Sequence, residues 1–225
     1  MRKSALVPVG LMICAAALAL ATQAVATTWC GENGLIRFSF TAGDSLVPVL
    51  ESGPADGGVT RIDLYAWLTD VDRVKHEGEA LTALGAYELS LDINGAEAYI
   101  LKQELPAEGF NVGKAQGTIA YGLSSGLSLS SGRAMLAHWQ IMFQGRPENV
   151  RFGLDPQGLQ SCAKTEGCPE AGAQALYVGS ASSNQLNMMF GAGYVPAWLN
   201  PQGEPDLTPV RGDSPWQKVG VFEPR

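Results

Sequence analysis

The sequence predicts an all-β protein, an antiparallel two-sheet sandwich with a proline-rich C-terminal extension, and three observations lead there. The first is the stretch Gly85–Leu101, in which Tyr87, Leu89, Leu91 and Ile93 alternate with Glu88, Ser90 and Asp92. A period of two belongs to a strand with one buried and one wet face. Asn94-Gly95 then supplies two residues that tolerate the positive φ of a type I′ turn. The expected result is a hairpin that pairs Ile93 with Ala96, Leu91 with Ala98 and Leu89 with Ile100. The second observation is that about seven or eight such short runs recur between turn-forming clusters. The third is composition: 46% hydrophobic residues, only 16% charged and 27 glycines describe a folded, turn-rich chain and not a disordered one.

At the N-terminus, Arg2 and Lys3 precede the apolar run Ala5–Ala21 and the small-residue site Ala24-Val25-Ala26. This is the pattern of a cleaved signal peptide, with no transmembrane anchor left after cleavage. Cys14 follows the bulky Ile13 inside the apolar core, unlike a lipidated cysteine, which follows a small residue. The expected division is a leader over 1–26, a sandwich over 27–195 and an extension over 196–225 packed on it. Export places the protein in a secreted or periplasmic setting where disulfides form. The formal charge of −7 becomes more negative once Arg2 and Lys3 are removed, which disfavours nucleic acid and anionic membranes as partners.

The elements follow in order. Leu35–Phe40 is a first strand, with Ile36, Phe38 and Phe40 on one side and Arg37 and Ser39 on the other. Pro48 and Pro54 confine any strand at 45–50 to an edge. Val59–Thr69 is a firm strand, with Ile62, Leu64, Ala66 and Leu68 facing one way and Arg61, Asp63, Tyr65 and Trp67 the other. Asp70–Glu79 is a charged connector, and 80–84 has the composition of a short helical turn before the hairpin. Pro106–Gly113 is a loop, Thr118–Gly122 a short strand, Ser124–Gly132 a long turn, Ala134–Phe143 a central strand apolar on both faces, and Val150–Leu154 another. Ala175–Val178 closes the series as a buried strand. From Pro196 six prolines leave little room for ladder bonds, yet Trp198, Leu199, Val210, Trp216 and Phe222 need a surface to pack on.

Cysteine spacing favours a Cys162–Cys168 disulfide across a short glycine-containing loop, with Cys30 left over or pairing with either of them. No metal and no cofactor is expected: the acids of the 70–79 connector lack calcium-loop spacing, and His76 and His138 stand apart without zinc spacing. No catalytic residue is assigned. Gly122–Gly126 fits G-x-S-x-G, but the strand, sharp turn and helix of a nucleophile elbow are absent from its surroundings. His138 reads as a hydrogen-bonded strand histidine. Arg211-Gly212-Asp213-Ser214-Pro215 matches a short adhesion motif without the rest of an adhesion module. The most suggestive surface is Tyr65 with Trp67, two residues apart and so on one strand face, extended by Arg61 and Asp63. Aromatic pairs of this kind offer flat apolar contact to sugar rings while neighbouring charges take the hydroxyls. The competing expectation is that the extension covers them, with Trp198 or Trp216 packed against the rings.

The strands RIDLYAWLTDV, GAYELSLDI, AHWQIMF and ALYVG, taken in order, resemble the cohesin-like and related carbohydrate-binding sandwich modules of secreted bacterial proteins. The resemblance implies an Ig-like or cohesin-like sandwich and a non-catalytic role, binding a protein partner or a polysaccharide or serving as an extracellular structural part. A secreted hydrolase acting on extracellular polymer is the alternative. A cleft with convergent acids would separate the two readings.

Overall fold

The computed structural model describes residues 34–54, 58–71, 74–76, 79–106, 109–113, 115–129, 131–159, 175–181 and 188–210. The leader site, Cys30, Cys162, Cys168, Trp216 and the Arg211–Pro215 motif lie outside them. The described residues form thirteen strands and one short 3-10 turn at Pro156–Gly158. No helix among them is long and apolar enough to cross a membrane.

The strands are β1 (Leu35–Ser39), β2 (Val49–Leu50), β3 (Val59–Thr69), β4 (Lys75–His76), β5 (Glu79–Asn94), β6 (Tyr99–Glu104) and β7 (Gly109–Asn111). They continue as β8 (Thr118–Ser128), β9 (Ala134–Gln144), β10 (Val150–Leu154), β11 (Ala175–Ala181), β12 (Met188–Val195) and β13 (Ala197–Leu199). One layer runs β12-β1-β3-β9-β6; the other is built on the long β5, which pairs with β8 on one edge and with β10 and β11 on the other. Alternation explains why they close on each other. Ile62, Leu64, Ala66 and Leu68 of β3 face inward with Trp139, Ile141 and Phe143 of β9, and meet Tyr87, Leu89 and Phe152 from the opposite layer. Phe143 and Phe152 meet edge to face at 6.5 Å, and the Tyr87 hydroxyl donates to the Leu136 carbonyl at 2.5 Å. Removing so much apolar surface from water is the main stabilising term.

The architecture is the all-β sandwich expected, with a mixed sheet in place of a purely antiparallel one. β1 runs parallel to β12, and β13 parallel to β2. Parallel neighbours need a long connection, and here nearly the whole fold lies between the first strand and the one that returns beside it. Strand β12 was not foreseen because MMFGAGYV carries two glycines that blur its alternation. β13 falls at the start of the expected extension and is hydrogen-bonded to β10 and β2.

The predicted hairpin is not formed. β5 and β6 do not pair, because both edges of β5 are taken, by β10 and β11 on one side and β8 on the other. The chain instead crosses at Asn94–Ala98 to the opposite layer, where β6 adds to β9. Gly95 is still required, since its φ is +108° and a Cβ there would stand 2.6 Å from the Asn149 carbonyl oxygen. Two further expectations change for the same long-range reason. The 80–84 stretch is the start of β5 and not a helical turn, and β8 runs to Ser128 through the expected long turn. Local composition is ambiguous there; the paired neighbours Leu127 and Ser128 supply the deciding hydrogen bonds.

Candidate functional site

The two layers present two outer faces of opposite character. On the first, β3 displays Arg61, Asp63, Tyr65 and Trp67 side by side, as their alternation requires. Arg61 and Asp63 are exposed, and Tyr65 and Trp67 half-buried. The rings are partly covered, by β9 and its preceding loop and not by Trp198. The Tyr65 ring stacks on His138 of β9 at 4.3 Å and 6°. The Arg133 guanidinium sits 4.8 Å from the Trp67 ring centroid and reaches Asp44. Trp198 stands on β13, its indole N–H donating to the Asp206 carbonyl at 3.0 Å. The Trp67 indole N–H is buried with no partner among the described residues.

His138 joins three strands. Its Nε2 lies 2.7 Å from Asp63 Oδ1 on β3 and its Nδ1 2.6 Å from Glu104 Oε2 on β6. Each ring nitrogen thus meets one carboxylate oxygen, and the ring ties β3 and β6 to β9. The hydrogen bond and charge of Lys102, and then His138, hold the Glu104 carboxyl below the usual carboxylate range. Burial, followed by the charges of Asp63 and Glu104, raises the Tyr65 phenol above its ordinary value. Asp63 and Glu104 occupy opposite nitrogens, so they do not converge on one ion. No group of three metal-ligating side chains occurs among the described residues. Gly122–Gly126 lies within β8, where no elbow turns the chain toward a helix.

The second face is largely apolar and is open at its β7 end. Strand register builds one cross-strand row of Phe110, Gly122, Ala86 and Val178, and a neighbouring row of Ala120, Glu88 and Leu176. Val112 joins the second row through its N–H to the Ala120 carbonyl at 2.9 Å. Small residues make the floor, and a Cβ added at Gly122 would meet nothing within 4 Å. The resulting shallow groove encloses about 230 Å³. At its rim Phe110 is 73% and Val112 55% exposed, while Leu176 and Glu88 at the far end are buried. Sequence reasoning missed this face because 106–113 reads as a loop. The available signal was Phe110 and Val112 flanking Asn111, a two-residue alternation with its apolar side unassigned.

No family model matches this chain, and no curated protein matches it. Among solved structures it is similar to the seventh ScaB type I cohesin from Pseudobacteroides cellulosolvens, with 10% identity, a TM-score of 0.42 and coverage of 77% of this chain and 96% of that one. It is also similar to the sixth cohesin of scaffoldin B from Acetivibrio cellulolyticus, solved with a dockerin: 7% identity, TM-score 0.41, covering 76% of this chain and 99% of that one. A third is the cohesin module of a family 33 glycoside hydrolase from Clostridium perfringens, with 10% identity, TM-score 0.38 and coverage of 75% and 98%.

Proposed function

We propose that this chain is an exported, non-catalytic binding module, secreted or periplasmic, whose ligand is a protein docked on the outer face of β7-β8-β5-β11. The observation that carries the reading is the apolar groove lined by Val112, with the exposed Phe110 beside it in register with Gly122. Large side chains left in water beside a smooth apolar floor mark interaction surfaces. A polysaccharide on the Tyr65 and Trp67 face is less well supported, because His138 and Arg133 already occupy ring faces that a sugar would need. The hydrolase alternative is also less well supported. Asp63 and Glu104 are both bound to His138 on a strand face and do not oppose each other across a cleft.

The test compares the wild-type chain with Phe110→Asp, an exposed position whose change leaves the core alone. Both are immobilised and challenged with the culture supernatant of the native host, and both are run in affinity electrophoresis against a glycan panel. A protein captured by the wild type and lost with Phe110→Asp, at an unchanged melting temperature, supports the reading. Glycan retention that survives Phe110→Asp and disappears with Tyr65→Ala overturns it.

A further inference from the structure

The groove has an occupant within reach on the same chain. Val210 is the last described residue, and it pairs with Tyr194 of β12, donating to the Tyr194 carbonyl at 2.7 Å and accepting from the Tyr194 N–H at 2.9 Å. β1 takes the opposite edge of β12, at Ile36, so Val210 lies on the edge where β11 begins, with Ala175 facing Ala192. Both run antiparallel to β12, so the chain at Val210 heads along the line of β11. A straight course is blocked, because the place beside Ala192 is already filled by Ala175. Inward is closed as well: Tyr194, Ala192 and Ala175 are buried in the core. The open course is outward, over Leu176, which begins the lining of the groove.

Lengths and composition suit that course. Leu176 stands beside Gly191, and from Gly191 to Tyr194 is about 10 Å along β12 at the rise of a strand. Residues 211–215 span about 17 Å when extended, enough to reach it. From β11 the groove crosses β5 and β8 to β7, a width of about 14 Å at the usual strand spacing. Residues 216–222 follow in the sequence and are about 23 Å long when extended. They include Trp216, Val219, Val221 and Phe222, apolar groups that are costly to leave in water.

We propose that residues 216–222 are the resident occupant of the groove, a tethered competitor that a partner protein displaces when it binds. The inference rests on the groove being the docking face and adds how that face is regulated. Tethering makes a weak segment sufficient. A short linker holds its segment at an effective concentration of about 1 mM. With an intrinsic Kd of about 0.1 mM, the segment fills the groove about ten to one and weakens any partner about tenfold. The partner must itself present aromatic or aliphatic side chains to the floor, since it replaces Trp216 and Phe222 there.

The probe is a fluorescein-labelled peptide of residues 214–223, titrated by anisotropy against three whole-chain proteins: the wild type, Trp216→Ser/Phe222→Ser, and that double variant with Phe110→Asp added. The expected result is saturable binding to the double variant with a Kd of about 0.1 mM, binding about tenfold weaker to the wild type, and none once Phe110→Asp is added. No binding to the double variant at about 1 mM overturns the proposal. Equal binding by the wild type also overturns it, because nothing then competes in the groove. Binding that survives Phe110→Asp overturns the groove as the seat of the segment. A wild-type dimer that Trp216→Ser/Phe222→Ser disperses in sedimentation equilibrium overturns the tethered arrangement in favour of exchange between two copies. Capture from the culture supernatant separates this inference from the docking face on which it rests. Capture that is lost with Phe110→Asp but unchanged by Trp216→Ser/Phe222→Ser overturns the competitor and keeps the docking face, whereas peptide binding as expected with no capture by either protein overturns the docking face alone.

Discussion

The outer face of β3-β9-β6 and the outer face of β7-β8-β5-β11 are built by the same alternation and end in opposite states. On the first, most side chains are already engaged: Tyr65 with His138, His138 with Asp63 and Glu104, Trp67 with Arg133. On the second, Phe110 and Val112 project past glycine and alanine into solvent. The aromatic pair that stands out in the sequence is thus spent on holding three strands together, whereas the apolar pair that a loop composition conceals is the one left open. Large side chains in a sequence do not announce a binding surface by themselves. What matters is whether neighbouring strands bring them a partner.

The contrast can be broken most severely where the two layers join. Gly95→Val forces a β-branched residue into positive φ and drives its Cβ into Asn149, so a loss of about 2 kcal/mol or more is expected in urea melts. An unchanged midpoint would mean that the crossing is not as described. Next in size is Trp67→Ala, expected to cost about 2 kcal/mol because a half-buried ring and its cation contact are both removed. Phe110→Ala, measured in the same way, should stay within about 0.5 kcal/mol, as at an exposed position. Equal losses at the two sites would erase the distinction between a closed and an open face.

The smallest effect is electrostatic. Glu104 has a depressed folded-state pKa, so its contribution to stability is present above its unfolded value and is lost as pH falls through the folded one. Stability of the wild type should therefore decline more steeply below about pH 4.5 than that of Glu104→Gln, whose acid limb should be flatter. Superimposable stability curves for the two proteins would show that Lys102 and His138 do not hold the ionised form.

Much of the strand inventory could be read directly. β3 and β10 have the bounds expected, and β1 and β9 differ by a single residue, because each has a largely apolar face set by alternation along the strand. The face membership of Arg61, Asp63, Tyr65 and Trp67 was legible for the same reason. His138 was recognised as a hydrogen-bonded strand histidine, but its partners Asp63 and Glu104 come from positions 75 and 34 residues away in sequence, and no local pattern encodes them.

What the sequence determined by itself was periodicity: which residues point inward, where strands must lie, and that Gly95 needs a conformation closed to most side chains. What only the tertiary structure decided was pairing. The stretch 85–101 carries a complete local case for a hairpin, and β5 nonetheless gives both its edges to β8, β10 and β11 and sends β6 to the opposite layer. A two-residue turn contributes a local preference of order 1 kcal/mol, whereas β5 gains two ladders of hydrogen bonds and a buried face of Leu84, Tyr87 and Leu89. Nonlocal burial outweighs the local turn.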